Sequence, residues 1–165
     1  MAVADTDARA AKQMALESML RASANAFITM ANMATEVGEA NADHPAGASV
    51  PTLAGSIGLV GVWNATGSLE CTPEFACRLA SAMLGTELVS LNEDALDAVA
   101  EMTNIIFGCM KTELERDLGL MGMGTPTVAY GNHAGTNGVS ERSMAIPLCV
   151  AGATVWMKMN FARSE

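Results

Sequence analysis

Apolar positions recur along this chain with two periods, near 3.6 residues in some stretches and near 2 in others, and the changes of period divide it into elements. Over residues 8 to about 37, Leu16, Met19, Leu20, Phe27 and Met30 repeat at helical spacing with Ser23 as the one interruption, predicting a helix. Residues 38–51 shift to Gly, Ala, Asn, Asp and Pro and read as a loop. Short apolar runs at 56–63 and 68–71 flank Asn64-Ala65-Thr66-Gly67, which predicts a β-hairpin turning at those four residues. Thr72-Pro73-Glu74 supplies an N-cap, a first-turn proline and a first-turn acid, so a helix should run to Leu84 and stop at Gly85. Asn92-Glu93-Asp94 starts another, continuing to Gly119. Residues 124–131, 143–150 and 154–161 read as three strands, separated by a polar loop at 132–142 and a tight turn at Ala151-Gly152. The order α, β-β, α, α, β-β-β predicts an α+β domain with a mostly antiparallel sheet covered by helices.

The length of 165 residues suits a single domain spanning 1–165, with residues 1–7 expected to be disordered. Half of the residues are hydrophobic, enough for a core, and the thirteen methionines suit gap-filling where aromatics are few. A net charge of -9 argues against a general nucleic-acid binder and against anionic membrane surfaces, since both demand a basic face. Residues 1–12 carry charges of both signs and do not resemble a secretory signal. The most apolar stretch, 144–157, is broken by Pro147 and Gly152 and falls short of the roughly 20 residues a bilayer requires. A soluble, cytoplasmic protein is expected. Cys71, Cys77, Cys109 and Cys149 form no C-x-x-C pair and read as small buried hydrophobes. His44 and His133 lie in loop-like surroundings without a partner at motif spacing, so no metal site is predicted.

The long helix after Asn92 carries the candidate chemistry. Leu96, Val99, Ala100, Thr103, Ile106, Phe107, Met110 and Leu114 give it one largely apolar face. Asp97, Glu101, Asn104, Gly108, Lys111 and Glu115 step by four and three along another, which sets Glu101 and Asn104 one turn apart and aimed the same way. A solvated face is the plain explanation of such a stripe, and a bare E-x-x-N spacing is weak by itself. Two features raise it. Asparagine is a mediocre helix former, and Gly108 costs about 1 kcal/mol relative to alanine while allowing another backbone to approach closely.

The run Asp97-x-x-x-Glu101-x-x-Asn104-x-x-x-Gly108, read as DAVAEMTNIIFG, resembles the CheC/CheX/FliY family of chemotaxis phosphatases, most closely its single-site CheX type. The surroundings match in order: a strand pair (VWNATGSLECT), a short helix (PEFACRLASAML), and after the long helix a strand with proline (GTPTVAYG) and two closing strands (MAIPLCV and ATVWMKMNF). Pro126 falls one residue before the position of the family's downstream proline. The resemblance covers roughly 56–161. It implies a twisted antiparallel sheet with helices packed on one side, and a single site, because the shorter helix offers Glu74 but has Cys77 where a second asparagine would stand.

The resemblance implies an activity as well: stimulated hydrolysis of the aspartyl phosphate of a CheY-like response regulator. Phosphoryl transfer depends on positioning and electrostatics, and an amide can donate and accept at once without repelling phosphoryl oxygens. Asn104 would enter the receiver's active site and hold the attacking water. Glu101 would pair with the receiver's phosphate-binding lysine. Asp97 and Lys111 would make supporting contacts with the partner, and Gly108 would leave it room. No cofactor is expected in this chain, the Mg²⁺ of the reaction belonging to the receiver. CheX-type members also imply a homodimer joined through sheet edges, which the apolar closing strands would suit. The competing reading is a non-catalytic response-regulator-binding adaptor or flagellar-switch-like structural module. A small-molecule binder has no support in phosphate loops, metal ligands or nucleophiles.

Overall fold

Side-chain caps begin two of the three helices found among the described residues, which are 2–39, 51–131 and 143–165 of this computed structural model. Thr72 Oγ1 accepts the N–H of Phe75 at 3.2 Å ahead of α2 (Pro73–Leu84), and Gly85 ends it at φ 68°, where glycine is unstrained. Asn92 Oδ1 accepts the N–H of Ala95 at 3.1 Å ahead of α3 (Glu93–Leu118), which Gly119 follows. These starts and stops agree with the sequence signals.

The first helix, α1 (Ala2–Ala31), departs from expectation at both ends. It begins at Ala2, within the stretch 1–7 for which the sequence predicts disorder. It also stops well before residue 37. Asn32 adopts φ 52°, which a short polar side chain tolerates, and the N–H of Met33 turns back to the Phe27 carbonyl at 3.1 Å. The chain then straightens into a strand that the helical pattern conceals. The buried face of α1 is narrower than the Leu/Met/Phe stripe suggests. Met19 and Phe27 are fully buried, but Leu16 and Leu20 are half-buried and Met30 is 38% exposed. Ala11, Ala15, Ala22 and Ala26 fill the remainder of that face, and Ser23 is satisfied there by donating to the Met19 carbonyl at 2.7 Å. Across to α3, Glu113 accepts from Ser18 at 2.8 Å and pairs with Arg21; these contacts hold its carboxyl below the usual range.

Seven strands form one antiparallel sheet: β1 (Thr35–Val37), β2 (Thr52–Gly61), β3 (Trp63–Cys71), β4 (Met121–Met123), β5 (Thr127–Gly131), β6 (Ser143–Val150) and β7 (Ala153–Arg163). Their order is β1-β6-β7-β3-β2-β4, and β5 also pairs with β2. The helices pack on one face, with Leu53, Ile57, Leu59, Leu69, Val155, Met157, Met159 and Phe161 turned toward them. Two glycines of the inner strands shape that face. A Cβ on Gly55 would lie 2.2 Å from Thr103 Oγ1, and one on Gly67 would lie 2.1 Å from a ring carbon of Phe107. Because Val99, Thr103 and Phe107 are spaced by four on α3, the helix sits directly on the backbone of β2 and β3.

Several expectations change here. The reversal between β2 and β3 falls at Val62, and Asn64 to Gly67 lie inside β3. Asn64 serves the true turn, its Oδ1 accepting the N–H of Gly61 at 3.1 Å, while Gly67 is small because Phe107 covers it. Of the strand expected at 124–131 only 127–131 forms, as β5; residues 124–126 part it from β4, an unexpected strand at 121–123, and Pro126 there has no N–H to pair. Of the closing strands, β7 is interior, between β6 and β3, while β1 covers β6 only over residues 148–150. The apolar residues of β7 are mostly buried, whereas β6 is buried only at Pro147, Leu148 and Val150. The turn at Ala151 and Gly152 is as expected, both with positive φ (48° and 82°), as a two-residue hairpin requires. Residues 40–50 of the predicted first loop, residues 132–142, and with them His44 and His133, lie outside the described residues.

Candidate functional site

The seating of α3 on Gly55 and Gly67 fixes the direction of its other faces. Val99, Ile106 and Met110 are completely buried, and the stripe Asp97, Glu101, Asn104, Gly108 turns sideways toward the sheet edge formed by β4 and β5. Asp97 and Glu101 are exposed, whereas Asn104 and Gly108 are half-buried. Neither the Glu101 nor the Asn104 side chain makes a hydrogen bond to another described residue, so both are available to a partner.

Asp97, Ala100, Glu101 and Asn104 form one wall of an open cleft of about 580 Å³, and Gly124, Thr125 and Pro126 form the other. This second wall is the stretch where the chain leaves the sheet between β4 and β5. Gly124 anchors it by donating to the Gly58 carbonyl at 2.9 Å. Pro126 disfavours a helical conformation at Thr125, which stiffens the wall. The sequence pattern reveals only half of this site. A proline inside a predicted strand is the one signal of the opposite wall, since it marks an interruption of pairing.

The other predicted residues are placed differently. Gly108 does not line the cleft; a Cβ there would stand 3.6 Å from Met123 Cε, so β4 covers this turn of the helix. Lys111 lies outside the cleft as well. Its Nζ is bound to Glu115 Oε1 at 2.8 Å, and the same oxygen accepts the N–H of Met121 at 2.8 Å. The lysine contact first, and then the backbone N–H, hold the Glu115 carboxyl below its ordinary range.

The shorter helix offers no second copy of the site. Glu74 is exposed on α2, but Cys77 is only 8% exposed and packs in the core. Burial pushes the Cys71 thiol up to about 12, with Glu70 and Cys77 adding to the effect, and burial also raises Cys77. Both shifts favour the neutral thiol over the nucleophilic thiolate. Of the remaining cysteines, Cys149 is half-buried and Cys109 is exposed on α3, contrary to the expectation that all four are core residues. Among the described residues no group of three or more His, Cys, Asp or Glu side chains is placed to hold a metal ion, and no helix is long and apolar enough to cross a membrane.

Chemically, the cleft can bind and orient. Its acidic rim, Asp97 and Glu101, suits a cationic group. The Asn104 amide can donate and accept at one time, which is what holding a water molecule requires.

The family description "Chemotaxis phosphatase CheX" matches residues 53–149. No curated protein matches the chain. Among solved structures, the chemotaxis protein CheX from Vibrio vulnificus is 23% identical with a TM-score of 0.76, over 90% of this chain and 96% of that one. A CheC-like superfamily protein from Shewanella sp. PV-4 is 25% identical with a TM-score of 0.77, over 90% and 97%. The CheX–CheY–BeF3–Mg²⁺ complex from Borrelia burgdorferi contains a chain 18% identical to this one, with a TM-score of 0.68 over 90% and 97%. At these identities the likeness speaks to the fold.

Proposed function

Because the chain belongs to the CheX family of chemotaxis phosphatases, we propose that it docks on a phosphorylated CheY-like receiver and accelerates hydrolysis of the aspartyl phosphate. Asn104 orients the attacking water, Glu101 anchors the complex by pairing with a receiver lysine, and Asp97 lends a supporting contact. The Mg²⁺ of the reaction is the receiver's. The observation that carries this reading is the pairing of Glu101 and Asn104, one turn apart, in an open cleft with no described residue competing for either side chain. An amide in that position needs no nucleophile or metal of its own, because an acyl phosphate is already reactive and the remaining task is to place water in line. The solved CheX–CheY complex supports the choice of partner.

Phosphate release from a panel of phosphorylated CheY receivers, with and without this protein, tests the proposal. Faster loss of phosphate from at least one receiver is the expected result. Stoichiometric binding to a phosphorylated receiver with no acceleration would make the protein an adaptor instead.

Homodimerisation through sheet edges is part of the proposal. Among the described residues the sheet ends at β1, three residues long and paired with β6 only over 148–150, and at the β4/β5 side. Thr127 and Tyr130 of β5 are exposed, and no residue of β5 is charged, so its composition would not oppose pairing. Light scattering at high micromolar concentration should give twice the 17.1 kDa chain mass. A monomer under those conditions would remove the dimer and leave the site untouched, since one α3 holds every proposed catalytic group.

A further inference from the structure

The two walls of the cleft are consecutive in the chain. α3 ends at Leu118, Gly119 and Leu120 make the turn, β4 begins at Met121, and the second wall follows directly at residues 124–126. The contact that holds the start of β4 against the last turns of α3 therefore contributes, beside the pairing with β2, to the width of the cleft. Resting on the phosphatase reading above, we propose that Glu115 is a positioning residue, whose carboxylate clasps Met121 to α3 and so sets the second wall at the right distance from Glu101 and Asn104.

The contacts run without a break from Glu115 to the wall. Its Oε1 accepts the Met121 N–H at 2.8 Å across six residues, and Lys111 Nζ, also at 2.8 Å, holds the carboxylate in place. Glu115 and Lys111 side chains are 21% and 23% exposed, so neither is free to swing in solvent. One glycine lets the turn close. A Cβ on Gly61 would lie 2.5 Å from the Leu120 carbonyl oxygen, and Met123 lies over Gly108 of the helix. β4 then pairs with residues 59–61 of β2, and the N–H of Gly124 reaches Gly58. This arrangement gives Lys111 a role within the chain. Glu115 does not line the cleft, so its loss should disturb docking while leaving the Asn104 amide to act normally in complexes that do form.

The test separates acceptor, charge and partner contact. With CheY phosphorylated by acetyl phosphate as the probe, Glu115→Ala should raise KM by about five- to tenfold with kcat held within about twofold. Glu115→Gln keeps an oxygen that can accept the Met121 N–H, and it should restore KM to near the parent value. Lys111→Met should raise KM less than Glu115→Ala does, because the Met121 bond survives. Hydrogen exchange on the protein alone supplies a readout that needs no partner: the Met121 amide should exchange at least about tenfold faster in Glu115→Ala and recover in Glu115→Gln. Parent-like KM and Met121 protection in Glu115→Ala would overturn the clasp. A larger KM effect from Lys111→Met would also overturn it and assign Lys111 to the partner. If even the parent fails to accelerate hydrolysis, the phosphatase reading falls, and Met121 exchange still decides whether Glu115 positions the wall.

Discussion

Asn104→Ala should lower stimulated phosphate release by a factor of about 100 to 1000 and leave the fold intact, by analogy with the loss of a single group that positions or stabilises a transition state. The fold should survive because the Asn104 side chain bonds to no described residue and alanine is the better helix former. Binding should weaken only modestly, since the amide acts on water once the complex has formed. Glu101→Ala should behave differently. Its proposed role is a charge pair across the interface, so affinity should fall together with rate, and the salt dependence of association should flatten. Single-turnover rates at saturating protein, set beside binding titrations with a stable phosphoryl mimic, distinguish the two variants. An Asn104→Ala protein that dephosphorylates its receiver at the parent rate would return the stripe on α3 to an ordinary solvated helix surface.

The parts of this molecule that can be read from sequence are those written in local, periodic signals. α3 is the clearest case: Asn92 caps it, apolar residues recur on one side, and Asp97, Glu101, Asn104 and Gly108 fall on another, as the structure has them. α2 is equally plain, through Thr72, Pro73 and Gly85. Elements whose cause lies far along the chain are hidden. Asn64 and Gly67 carry the residue types of a turn, yet Gly67 is glycine because Phe107, forty residues away in sequence, packs over it. β1 is concealed because Ala-rich helix and a three-residue strand run into each other with only Asn32 to mark the break. The closing strands have the apolar composition of an unpaired edge, yet β7 is flanked on both sides, and β6 is flanked by β1 only over 148–150. The cleft divides along the same line. Its helical wall follows from a period of 3.6, while its second wall depends on where β4 and β5 part along β2, and tertiary pairing decides that.

Gly67→Ala should be among the most disruptive single-methyl additions this chain can receive. The new Cβ would stand 2.1, 2.3 and 2.5 Å from three ring carbons of Phe107, and that ring is fully buried. Neither side can yield cheaply: Gly67 is paired with Ile57 on β2 and Met159 on β7, and Phe107 is mid-helix in the core. Overpacking of this kind costs about 1–3 kcal/mol. For a chain of this size that is a fall in Tm of roughly 2 to 10 °C. The shift would also lift α3 from β3 and so move the Glu101/Asn104 wall, joining a stability defect to an activity defect. Phe107→Leu in the Gly67→Ala background should recover part of the loss, because the shorter side chain frees the space that the new methyl fills; the two changes should then be clearly non-additive. Gly58→Ala is the control, lying on the neighbouring strand with nothing within 4 Å of where its new methyl would stand, and it should leave Tm unchanged or slightly raised. Denaturant and thermal unfolding of the three single variants and the double variant against the parent checks every step. A Gly67→Ala protein as stable as the parent, or strict additivity with Phe107→Leu, would mean that α3 does not rest on β3 through this contact.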